Sequence, residues 1–176
     1  MPRVFTIGHA QHSLERFFEL LDQHAIEVVV DVRSQPYSRH APHFSKRPLQ
    51  QALAAHQVLY VFRGQQLGGR PGGADYYDED GNLRVNRIVA RPDFAESLGE
   101  LIELTREHEV AILCAEEDPR RCHRHWLLSP LLKTAGGAGL ATSGERVEVT
   151  VQHIRGDGRL QSEQEVRRAR RRGRQS

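Results

Sequence analysis

Long hydrophobic runs are missing from this 176-residue chain, and with them any stretch of the roughly 20 apolar residues that crosses a bilayer as a helix. No secretory h-region precedes the first structured pattern, because MPRVFTIGH enters a strand-like sequence at once. Both absences lead us to expect a cytoplasmic protein with no membrane partner. Cysteine is scarce, with Cys114 and Cys122 as the only two. That excludes a disulfide framework and, in a reducing compartment, leaves reactive, metal-bound or simply buried thiols. No internal repeat is visible. A hydrophobic content of 38% is modest, yet at this length it suffices for one domain with a real core.

An excess of one charge is absent overall but not locally. The formal net charge is +2, and residues 155–176 hold eight Arg against Asp157, Glu163 and Glu165, a local +5 that leaves the preceding body at −3. The terminal EVRRARRRGRQS has no apolar face. Residues 156–176 are therefore expected to form a flexible basic tail outside an α/β domain of residues 1–155, so that its removal leaves the fold intact. An arginine-rich arm can bind nucleic acid by neutralising phosphates, with affinity that falls as salt rises. A solvated end with no partner is the equal alternative.

What is present alternates. VFTIG (residues 4–8) reads as a buried strand, and Ser13 is a natural N-cap for LERFFELLDQH, whose Leu14, Phe17, Phe18 and Leu21 share a stripe. IEVVVDV (26–32) suits a central parallel strand, followed by a polar loop and a helix near residues 48–56. VLYVF (58–62) and residues 110–114 supply further strands, with a helical period over residues 93–106 between them. The Gly-rich segment 64–82 reads as an ordered functional loop or a mobile lid, with disorder as the alternative. A helix is expected over residues 119–134, a flexible connector at AGGAGLATSGE (135–145), and a half-exposed edge strand at RVEVTVQHI (146–154). Strands separated by helices imply a single three-layer α/β domain, Rossmann-like, with a mostly parallel sheet and helices on both faces.

In such sheets ligands sit beyond the carboxyl ends of the strands, so residues just past each strand should converge. Here these are Gly8 and His9, then Asp31 and Arg33, then Arg63 and the LGGR segment of Gly68, Gly69 and Arg70, then residues 114–124. The last stretch, within EVAILCAEEDPRRCHRHWLL, joins both thiols to carboxylates, imidazoles and guanidiniums. Cys114 at a strand end is a nucleophile, a metal ligand or a small buried hydrophobe. Cys122 would lie in the first turn of a helix capped by Asp118 and opened by Pro119, where the dipole and nearby Arg residues favour thiolate while Glu116, Glu117 and Asp118 oppose it; a structural thiol is the alternative. The Cys-x5-Arg spacing of Cys114 and Arg120 matches that of a cysteine-phosphatase loop, but Glu116, Glu117 and Asp118 would set three negative charges against the dianion. Zinc could draw on Cys114, Cys122, His123 and His125, with His9 or His43. The spacing fits no standard site, however, and His123 and His125 point about 200° apart on a helix.

The remaining candidates concern protons and anions. Asp31 and Arg33 point to one side of their strand and are either a structural pair or parts of a site. Asp31, Glu116 and His9 are the general acid or base candidates. Arg33, Arg39, Lys46 and Arg47, interleaved with Tyr37, His40, His43 and Phe44, could hold phosphate while an aromatic ring stacks on a base; a solvated loop is the plain alternative. Arg33 with Arg70 is the expected anion site, because Gly68 and Gly69 allow close backbone approach. His123 and Arg124 are added as substrate contacts.

TIGHA, SLERFFELL, VVVDVRSQPYSRHAPHFSK, QLGGRP and ILCAEEDPRRCHR, in this order from Thr6 to Arg124, resemble the signature blocks of the bacterial and archaeal Domain of Unknown Function 488 family. The resemblance implies a small cytoplasmic α/β protein suspected of being an enzyme and supplies no reaction. Its one departure is His9-Ala10, where the family more usually has His-Ser. The expectation is thus an enzyme acting on a phosphate-bearing substrate, a nucleotide or nucleic acid. His9, Asp31, Cys114, Glu116 and Cys122 would be catalytic, and Gly8, Arg33, Gly68, Gly69, Arg70, His123 and Arg124 would bind. The alternatives are a non-catalytic nucleic-acid-binding protein and a metal-dependent enzyme with Cys/His ligands. The sequence points to no particular cofactor or oligomeric state.

Overall fold

A computed structural model of the chain describes residues 2–134 and 148–172. The connector expected at 135–145, the start of the strand expected from 146, and residues 173–176 lie outside them. The chain begins with β1 (Arg3–Gly8) and α1 (Leu14–Gln23), where the Ser13 hydroxyl caps the helix by accepting from Arg16 N at 3.1 Å. Next come β2 (Val28–Asp31), α2 (Lys46–Ala55) and β3 (Leu59–Phe62). Three short or long helices follow, α3 (Gly64–Leu67), α4 (Val85–Val89) and α5 (Pro92–Glu107), before β4 (Val110–Cys114). The rest is a 3-10 turn at Pro119–Arg121, a π-helical turn at Arg124–Leu128, α6 (Ser129–Thr134), β5 (Thr150–Ile154), β6 (Leu160–Ser162) and α7 (Glu163–Arg172).

The six strands order as β3-β2-β4-β1-β5-β6, parallel except for the β5–β6 pair. β2 and β4 are buried along their whole length, as their runs of Val, Ile and Leu require of strands covered on both faces. On one face Phe5, Ile7, Val29, Ala111 and Leu113 pack against Phe17, Leu20 and Leu21 of α1 and Leu49 and Leu53 of α2. On the other, Val4, Val28, Val30, Val110 and Ile112 meet Phe94, Leu98, Leu101 and Ile102 of α5, with Leu127, Leu128 and Leu132. Each such buried side chain is worth about 1.5–3 kcal/mol. These two cores make the three layers.

Two expectations about the C-terminal region are corrected. β5 is no edge strand: it lies between β1, with which it pairs in parallel, and β6. The supposed flexible tail supplies β6 and α7, and α7 docks through Val166 and Glu163, which are 0% and 1% exposed. Among the described residues no helix is long and apolar enough to cross a membrane.

The expected helix over residues 119–134 is also broken. Asp118 does cap, accepting from Arg120 N at 3.0 Å, but only a 3-10 turn follows. Cys122 then takes an extended conformation (φ −124°, ψ 143°), and a second helical segment starts at His123.

Candidate active site

The sheet order changes direction around β1, β2 and β4, and this is where a doubly wound sheet opens a crevice. Register sets Gly8 beside Cys114 and Asp31 beside Leu113, so three strands end at one level. Gly8 has a steric reason to be glycine: a Cβ there would sit 1.8 Å from the Glu116 carbonyl oxygen. The loops leaving these strands enclose a cavity of about 390 Å³, within the range of small-molecule sites. Arg33, Gly69, Arg70, Cys114, Glu116, Cys122 and His123 line it, with Ser34, Gln35, Tyr37, Arg121 and Trp126. A larger cavity of about 720 Å³ lies at the amino ends of the strands, beside the Arg3–Glu109 ion pair, and has no thiol in its lining.

Five expected site residues do not line the cavity. Gly8 is backbone support. Gly68 is buried against Ser34, whose Oγ would lie 2.2 Å from a Cβ. His9 is 4% exposed, stacks on Phe44 at 4.7 Å and donates Nδ1–H to the Ala10 carbonyl. Asp31 is 0% exposed and accepts from Arg33 Nε (2.9 Å), Arg33 Nη2 (2.7 Å), Arg33 N (3.1 Å) and Tyr60 Oη (2.7 Å). A carboxylate saturated in this way is no free base; it fixes the Arg33 guanidinium at the cavity wall. Burial, then the Asp31 charge, pushes the Tyr60 hydroxyl up, so it remains a donor.

Arg124 is the fifth, and it is the most informative. It is 1% exposed, and its Nη2 donates to the Glu116 and Glu117 carbonyls at 2.7 Å each, while Nε and Nη1 have no hydrogen-bond partner among the described residues. Glu117 is occupied by Arg155, at 2.8 and 2.9 Å, and by Gly156 N at 3.0 Å. The groups whose charge bears most on Arg124 are the two sulfurs, Cys122 and Cys114. A guanidinium does not lose its proton in a protein, and a buried charge needs a counter-charge. A thiolate on one of the two sulfurs would supply it.

Cys114 is the better thiolate. The neighbouring Cys122 thiol, with His123 and Arg124 and against the opposing effect of burial, holds Cys114 well below the ordinary thiol range. The same contact and burial push Cys122 up. One proton is thus retained by the pair, on Cys122. His123 Nδ1 lies 3.9 Å from Cys114 Sγ and 3.7 Å from Cys122 Sγ. Gly69 packs on that imidazole so closely that a Cβ would come within 2.7 Å of its Cγ.

Cys114, Cys122 and His123 keep their donor atoms within 4.8 Å of one another and could hold an ion. Two thiolates, an imidazole and a divalent metal sum to zero, however, and leave Arg124 uncompensated. A single thiolate balances it directly, so the charge count favours a shared proton. His125, His153 and Glu163 form a second compact group. There His125 Nδ1 is 3.0 Å from Oε1, His153 Nε2 is 2.9 Å from Oε2, Arg167 donates to Oε1 at 2.9 Å, and Thr6 Oγ1 is 2.7 Å from His153 Nδ1. With its carboxylate so engaged, and with the Arg124 charge acting on His153, this group is a lock for α7 rather than a second metal site. His123 and His125 do face different clusters.

A family model described as Domain of unknown function DUF488 matches residues 13–131. The chain belongs to the DUF488 family. No curated protein and no solved structure matches it. The matched stretch of this DUF488 chain carries every residue that lines the 390 Å³ cavity, while β5, β6 and α7 fall outside it. Sequence reasoning missed Ser34, Gln35 and Trp126 as wall residues. Trp126 had a usable signal: it follows His123 by three positions, and side chains at that spacing share a helical face. The two rings meet edge-on at 6.4 Å.

Proposed function

We propose that this DUF488 protein is a thiol-dependent enzyme acting on a phosphate-bearing ligand of nucleotide character. The observation that carries the reading is Arg124, a buried guanidinium without a carboxylate partner behind two thiols that open into a cavity. It supports a resting thiolate on Cys114, the nucleophilic form of cysteine. Arg33, Arg70 and Arg121 line the same cavity and suit an anion. Tyr37 and Trp126, 73% and 39% exposed at its rim, offer ring faces on which a base can stack. Glu116, exposed on the wall, is the carboxylate placed to move a proton.

Trp126 is the only tryptophan in the chain, so its fluorescence reports on the rim. Nucleoside mono-, di- and triphosphates titrated into the protein should quench it, and nucleosides should do so far more weakly. Arg70→Ala, at an exposed position, should weaken binding by about 1–3 kcal/mol with little change in melting temperature. Cys114→Ser should still bind and should lose any turnover found with the ligand that binds best. No response to any nucleotide would remove the substrate class from this account. Turnover surviving in Cys114→Ser would remove the thiol. Exposed Arg167 and Arg168 on α7 favour a second reading, a non-catalytic nucleic-acid-binding protein. That reading predicts salt-dependent oligonucleotide binding unaffected by either substitution.

A further inference from the structure

We infer that Cys114 and Cys122 form a peroxide-responsive pair, in which Cys114 is oxidised to a sulfenic acid by a hydroperoxide and Cys122 resolves it to an intramolecular disulfide. The inference rests on the reading of Cys114 as the thiolate and adds to it a redox switch on the same site. Four observations point there. Both sulfurs line one cavity roomy enough for a hydroperoxide, and both lie within 4.8 Å of each other and of an imidazole. Cys122 is held at the break between two helical segments rather than inside one, where rotation of its side chain meets no helical ladder. Arg124, buried behind the pair, carries donors that no other group uses and can steady an anionic oxygen or sulfur. His123 Nδ1 stands 3.7 Å from Cys122 Sγ, within reach of its proton once the ring or the thiol shifts by a few tenths of an ångström.

The steps balance. The Cys114 thiolate attacks one peroxide oxygen; an S–O bond forms, the O–O bond breaks, and the departing alkoxide or hydroxide takes a proton from solvent. The Cys122 thiol then gives its proton to His123 as its sulfur attacks the Cys114 sulfur. The S–S bond forms, the S–O bond breaks, and the hydroxide leaves with that proton as water. Two thiols are oxidised by two electrons and the hydroperoxide is reduced by two. The disulfide removes the nucleophile, and a small-molecule dithiol restores it.

The test uses the full reduced chain and hydrogen peroxide at one equivalent. Intact mass should fall by the two hydrogens lost, with both thiols blocked in the denatured protein and both recovered on reduction. Cys122→Ser should instead accumulate a dimedone-reactive sulfenic acid. Cys114→Ser should keep its remaining thiol at the same dose. Wild-type protein that stays reduced, or that gains oxygen without forming a disulfide, overturns the inference, as does Cys114→Ser oxidised as fast as wild type. Failure here is separable from failure of the functional reading. A disulfide without nucleotide binding sinks the function alone, and nucleotide-dependent turnover through Cys114 without a disulfide sinks the switch alone.

Discussion

His9 shows how one buried group ties the fold to pH. Burial, against the help of its bond to the Ala10 carbonyl and with the Arg33 charge adding to it, lowers its pKa to about 4 from the ordinary 6.5. Between those values the unfolded chain takes up a proton that the folded chain refuses. Stability from this residue is therefore complete above about pH 6.5 and declines as pH falls toward 4, by about 3 kcal/mol in all. Urea unfolding of wild type and His9→Gln across this window should show the steeper acid loss in wild type; parallel slopes would show that His9 is not held neutral. Arg33 is a different case. Arginine pairing with Asp31 was one of two meanings open in the sequence, and the buried bidentate contact shows that pairing while Arg33 also lines the cavity. A change at Arg33 therefore costs stability as well as binding, because Asp31 would be left buried without its cation. For this reason Arg70, exposed in the same lining, is the cleaner probe of anion binding.

At the scale of elements, α7 departs most from what its composition suggests. Ten residues of EQEVRRARRR hold little to bury, and Val166 is their one fully buried aliphatic side chain. The helix docks because Glu163, at its first position, enters the sheet-side cluster. There burial pulls its carboxyl up, and the donors His125, His153 and Arg167 outweigh that and hold it well below the usual carboxylate range. Hydropathy has no signature for a helix held by one buried carboxylate, since each partner scores as a surface residue. Glu163→Ala should cost about 3–5 kcal/mol, because it strips two buried imidazoles of their acceptor. Removing residues 163–176 should lower the melting temperature at least as much; a truncated chain as stable as the full one would show that α7 is not docked. The elements that periodicity did reveal are those with a full apolar stripe or run, such as α1, α5, β2 and β4. The break at Cys122 was hidden, because nothing in PRRCHRHW marks where a 3-10 turn gives way to a π-helical one.

At the scale of the whole molecule, parallel topology explains why the site was partly legible. Carboxyl ends of parallel strands share one edge, so residues following β2 and β4 had to converge, and Arg33, Cys114, Glu116, Cys122 and His123 do line one cavity. Depth within that edge was not legible: Asp31 ends β2, His9 follows β1 and Arg124 comes after β4, yet all three sit behind the wall, where they set charge and position instead of meeting a ligand. The account turns on the charge that Arg124 demands from the two sulfurs. Ultraviolet thiolate absorbance of the native chain, followed with pH for wild type, Cys114→Ser and Cys122→Ser, measures that charge directly. One thiolate should be present in wild type at about pH 7, well below the ordinary cysteine pKa near 8.5, and it should be retained in Cys122→Ser. Ordinary thiols, with no thiolate absorbance until near pH 8.5 in either wild type or Cys122→Ser, would contradict it.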